Sequence, residues 1–141
     1  MTTYSTRSTL LLLAAVALPL AGGCGKSKTA QCNSLVEVIN TNVKEYNDAP
    51  EPKNDAELKK LAAIFKKNAT AMSAVQVEDE KLKEIAQTFS KTANETAAGI
   101  DAIADIQGDA SPEDMKKARD NMSKGMDGLK KNTDALNEYC K

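Results

Sequence analysis

The side chains with the widest chemical reach are three cysteines, Cys24, Cys32 and Cys140, and four internal methionines, Met72, Met115, Met122 and Met126. Thioethers are soft ligands suited to Cu(I). Met115, Met122 and Met126, however, recur at helical spacing among other apolar residues, which is the pattern of core filling. The chain has no histidine. That removes the imidazole base, the Ser-His-Asp and Cys-His pairs, histidine-ligated haem and ordinary zinc sites. It also removes the Glu-x-x-His pairs of di-iron bundles. No Cys-x-x-Cys occurs, so a dithiol redox centre has no motif. No acid falls clearly on an apolar stripe where a second could join it in proton transfer. The expectation is a protein that is not an enzyme, with no catalytic residue, metal site or cofactor.

Charge narrows the partners. The formal net charge is -1, with 19 Lys and Arg against 20 Asp and Glu, both signs mixed along the chain. A nucleic-acid binder needs a basic surplus or a basic face, so no nucleic-acid partner is expected. Asn68-Ala-Thr70, Asn94-Glu-Thr96 and Asn121-Met-Ser123 match the glycosylation acceptor pattern. All three fall within helix-periodic segments and read as chance.

The N-terminus is an address. Residues 1–9 are polar with one cation, Arg7, and residues 10–18, "LLLLAAVAL", are continuously apolar. Pro19, Ala21, Gly22 and Gly23 follow, which completes a secretory signal with a small-residue cleavage site. The uncharged run from Leu10 to Gly23 is short of the ~20 apolar residues that span a bilayer. Its last residues, "LAGGC" from Leu20 to Cys24, resemble the lipobox of bacterial lipoproteins, with Ala21 where Leu is usual. The resemblance covers residues 1–24 only and is silent on the domain behind them. It implies removal of residues 1–23, a diacylglycerol on the Cys24 sulfur, an acyl chain such as palmitate on its amino group, and a membrane partner through that anchor. Gly25 instead of Asp after the cysteine implies the outer membrane, facing the periplasm or the exterior. A secreted protein without an anchor is the alternative.

Lipidation of Cys24 leaves Cys32 and Cys140 as an even pair in an oxidising compartment, where a disulfide persists. Two free buried thiols are the alternative. The domain reading is a signal at 1–23, a lipidated tether at 24–31 and a helical domain at 32–141.

Helical periodicity runs through that domain. The first helix is expected over Thr29–Asn47, with Cys32, Leu35, Val36, Ile39, Val43 and Tyr46 on its apolar side, ended by "DAPEPK". The second starts at Asn54, a polar cap followed three residues later by Glu57. Its stripe is Leu58, Leu61, Phe65, Asn68, Met72 and Val75, where a buried Asn68 would fix register. Gln76–Asp79 forms the next break, although it holds neither Gly nor Pro. One bent helix over 54–107 is the alternative. The third helix spans Asp79–Gln107. The fourth begins at Ser111-Pro112, a capping hydroxyl with proline in the first turn.

Each stripe must be buried for its helix to persist. Short connections favour an all-α, up-down-up-down four-helix bundle. In that topology Cys32 and Cys140 meet at one end, whereas a three-helix arrangement separates them. On the surface, Asp55/Lys59, Asp120/Lys124 and Asp127/Lys131 stand at the favourable i, i+4 spacing.

Helices three and four are longer than one and two, which places an excess at the tip far from the cysteines. Ile100, Ile103, Ile106 and Met115 there form a candidate surface for an envelope protein partner. The functional expectation is a small lipid-anchored envelope protein with a binding, scaffolding or assembly role. The other reading is a bundle that binds a small molecule or lipid between its helices.

Overall fold

The computed structural model describes residues 26–106 and 111–141. The signal, the lipobox with Cys24, and Gln107 lie outside the described residues. Four α-helices, α1 (Lys28–Asp48), α2 (Asp55–Ala74), α3 (Glu80–Asp105) and α4 (Pro112–Tyr139), pack as an up-down bundle in which sequential neighbours touch. The helix therefore already includes Lys28–Gln31 of the expected tether.

Each helix starts on a side-chain cap that satisfies an otherwise unpaired N–H. Ser27 accepts from the Ala30 N–H, Asn54 from Glu57, Asp79 from Leu82 and Ser111 from Asp114. The Asp79 cap explains the break that has no Gly or Pro. Val75 and Val77 leave the helix in an extended segment, and both pack on the core. The buried Gln31 holds this segment, its Oε1 accepting from the N–H groups of Glu78 at 2.6 Å and Asp79 at 3.0 Å. The single bent helix over 54–107 is thereby excluded, and the disulfide topology follows.

Helix α3 is the spine, packing along most of its length against both α2 and α4. Its contact with α4 is made close by small residues. A Cβ on Gly99 would lie 3.0 Å from the Met122 nitrogen, and one on Gly125 would collide with the Thr96 side chain.

Helix α1 lies on α2 and barely touches α3 and α4. The core accordingly has two parts. The first gathers Leu35, Ile39, Met72, Leu82, Phe89 and Leu136 near the disulfide. The second, Ala62, Phe65, Ala97 and Ile100 with Leu58, Leu61, Met122, Met126 and Leu129 packed against it, is built from α2, α3 and α4.

The length difference falls differently from expectation. The Ser73 and Ser90 hydroxyls are 2.7 Å apart, and Ser90 donates to the Ala69 carbonyl. The end of α2 thus lies beside Ser90, and Glu80–Phe89 run past it at the cysteine end, covered by the Val75–Asp79 segment. At the other end Lys59 pairs with Asp105, so α2 accompanies α3 to its last turn. The helix that stops short of the far tip is α1: the Tyr46 ring meets Phe65 at a 60° tilt and Glu45 pairs with Lys67, midway along α2.

The expected ion pairs within helices, Asp55/Lys59, Asp120/Lys124 and Asp127/Lys131, do not form. Lys59 reaches across to Asp105 and Lys66 to Asp101, so these α2 lysines pair with acids of α3.

Candidate ligand groove

The cysteine end is tied by several independent contacts. Cys32 and Cys140 form a disulfide with their Cα atoms 5.9 Å apart. Tyr139 donates its hydroxyl proton to the Asp79 carboxylate, with oxygens at 3.1 and 3.2 Å, and the Lys28 ammonium sits 3.7 Å from the Tyr139 ring centre. The hydrogen bond from the Leu82 N–H, aided by that from Tyr139, holds the Asp79 carboxyl below its ordinary value although partial burial opposes this. Burial and the same carboxylate push the Tyr139 hydroxyl up.

Farther along, α1 and α4 stay apart and a groove of about 290 Å³ opens between them. Phe65 and Asn68 of α2 and Phe89 and Ala93 of α3 line its depth. Ile39, Asn42, Val43 and Tyr46 form the α1 wall, and Met126, Leu129 and Thr133 the α4 wall. Lys130 and Asp134 stand on the α4 side, joined to each other at 3.1 Å.

Two independent features converge here. Among the described residues, the exposed large apolar side chains are Val43 at 51% and Tyr46 at 40%, and both line the groove. The buried side-chain polar atoms without a hydrogen-bond partner are Asn42 Nδ2 and Asn68 Oδ1, and both residues line it too. Asn42 is only 7% exposed and Asn68 only 4%. A buried unpaired amide atom costs roughly 1–3 kcal/mol, and most buried polar groups in folded proteins are paired.

No protein-family model, curated protein or solved structure matches this chain. Function must therefore be read from the groove and the sequence.

The residues singled out from sequence are distributed as follows. Cys32 and Cys140 are joined. Cys24 lies outside the described residues. Ile100 is 1% exposed, deep in the second core cluster, while Ile103, Ile106 and Met115 are half-buried. Met72 fills the first core cluster, and Met122 and Met126 pack against the second. A surface depression of about 390 Å³ over the α3–α4 contact, lined by Ala98, Gly99 and Ala102 among others, marks the close approach of those helices; it holds no orphaned polar atom.

Asn68 was legible as a polar residue on an apolar stripe. Asn42 carries the same signal: it sits three residues after Ile39 and four before Tyr46. Val43 and Tyr46 belong to the predicted stripe, but α4 does not come close enough to cover them.

Proposed function

We propose that this chain is a small lipid-anchored protein of the cell envelope with a non-enzymatic binding role, and that the α1–α4 groove is where it binds. The observation that carries the binding role is the convergence in one groove of the exposed apolar side chains and the orphaned buried amides. Each feature alone is commonplace. Together they describe a groove with exposed apolar walls and, just beneath them, buried amides that lack partners. At about 290 Å³ the groove lies at the lower limit of small-molecule pockets. This favours a small ligand over a protein partner.

The signal at 1–23 and the lipobox at Cys24 support the anchor. More than one acyl chain gives stable membrane attachment. Only Gly25, Lys26 and Ser27 separate Cys24 from the first helical residue. The tied end of the bundle then faces the bilayer, and the groove begins ~16 Å further along α1. Among the described residues no helix is long and apolar enough to cross a membrane; in this reading the lipid supplies the attachment.

Two measurements test this reading. Intact mass of the mature protein is expected to show Cys24 first with added acyl mass; an unmodified N-terminus at another residue defeats the anchor. The chain has no tryptophan, so Val43→Trp installs a single reporter on the groove. Its fluorescence is expected to change saturably with an organic extract of the envelope. A flat response removes the groove as the binding site.

A further inference from the structure

We infer that the groove selects an uncharged amphiphile: an apolar body carrying one compact head, a hydroxyl or primary carboxamide, that both donates and accepts hydrogen bonds. This rests on the groove being the binding site and goes on to define what enters it. The head is dictated by the two orphaned atoms, which are closed to solvent in the free protein, so a ligand meets them by drawing the two amides toward the groove. Asn42 Nδ2 is a donor seeking an acceptor, and Asn68 Oδ1 is an acceptor seeking a donor. A hydroxyl or carboxamide satisfies both. In this orientation a carboxylate, which can only accept, leaves Asn68 Oδ1 unpaired, and an ammonium, which can only donate, leaves Asn42 Nδ2 unpaired. A primary carboxamide, with two donors and an acceptor, complements the pair even if either asparagine turns its amide by half a rotation.

The absence of charge is dictated by the surroundings. The charged residues lining the groove, Lys130 and Asp134, neutralise each other. A charged head placed between Asn42 and Asn68 would lose its water with no counter-ion in return. The apolar body is dictated by Ile39, Val43, Phe65, Phe89 and Leu129, and the aromatic rings among them suit a ligand with an aromatic or flat end. The volume of about 290 Å³ suits a body of one short chain or ring.

A matched series of probes tests this: 4-phenylbutanamide, 4-phenylbutanoate and butylbenzene, titrated into the mature protein at pH 7 and followed by 15N–1H NMR. The amide is expected to shift the side-chain NH2 signals of Asn42 and Asn68, and to bind at least about tenfold more tightly than either the anion or the headless hydrocarbon. In Asn68→Leu, the preference for the amide over butylbenzene is expected to disappear, while thermal stability is retained or raised because an orphaned polar atom has been removed.

Equal binding of all three probes in the groove would overturn the inference about the head and leave the groove standing as a binding site. No binding of any probe there would overturn both. Shifts at the groove produced by protein concentration alone would place a second copy in it and would also overturn the inference. An Asn68→Leu protein that is strongly destabilised while keeping the amide preference would assign Asn68 to the core instead. The wild-type NH2 shifts decide the matter even if that variant fails to fold.

Discussion

Two buried amides on α1 set two regions of this molecule side by side. Gln31, at the cysteine end, is 4% exposed and fully engaged: its Nε2 donates to the Lys26 carbonyl at 2.7 Å, and its Oε1 accepts from Glu78 and Asp79. Asn42, about three turns further on, is 7% exposed and its Nδ2 has no partner. The same helix thus holds one amide used to join chain segments and one left waiting. Around Gln31 every neighbouring segment is tied, by the disulfide, by Tyr139 on Asp79 and by Lys28 on the Tyr139 ring. Around Asn42 the helix leans mainly on α2, and Val43 and Tyr46 stay exposed. The contrast teaches that α1 is fastened at one end so that its other half can stand off from α4 without leaving the bundle.

The largest effect that would break this contrast is loss of the fastening. Replacing Cys32 and Cys140 by serine opens a loop of 108 residues and is expected to cost about 4 kcal/mol in denaturant unfolding. A loss below 1 kcal/mol would mean that the other contacts suffice to hold α1.

The two amides provide the sharpest comparison. Gln31→Ala leaves the Glu78 and Asp79 N–H groups without their acceptor and is expected to destabilise by roughly 1–3 kcal/mol. Asn42→Leu removes an unpaired group and is expected to be neutral or stabilising. Equal losses from both would show that Asn42 is as engaged as Gln31.

Gly125→Ala addresses the close α3–α4 contact that positions one wall of the groove. The added methyl meets Thr96, and the expected loss is roughly 1–3 kcal/mol by overpacking. Gly125→Ala combined with Thr96→Ala, which removes the colliding hydroxyl, should recover part of it when measured by thermal unfolding.

The smallest effect is the pH dependence of the tied end. The folded-state carboxyl of Asp79 lies below its ordinary value. The stability supplied by its ionised form is therefore complete above about pH 4 and is lost as the pH falls through the lower, folded-state value. Melting temperatures between pH 2 and pH 6 should fall less steeply on acidification for Asp79→Asn than for the native chain. Parallel curves would remove Asp79 from the fastening.

Much of the architecture was legible because it is written in local chemistry. Ser111-Pro112 and Asn54 with Glu57 mark helix starts through groups that cap them, and the two cysteines select the topology by needing to meet. The groove was not legible. A stripe such as Ile39, Val43 and Tyr46 tells which side of α1 is apolar, but not whether another helix comes near enough to cover it. That depends on register, and register here depends on the extended Val75–Asp79 segment, which shifts α2 away from the start of α3. The cross-helix pairs of Lys59 and Lys66 escaped for the same reason, since their partners are neighbours only once the helices are aligned.

Residue-by-residue amide hydrogen exchange of the mature protein, with and without 4-phenylbutanamide, tests the central claim most directly. The account predicts strong protection at Gln31–Leu35 in both conditions. It predicts weak protection over Ile39–Tyr46 in the free protein, rising when the amide is present. Uniform protection along α1 in the free protein, or protection over Ile39–Tyr46 that the amide leaves unchanged, would contradict it.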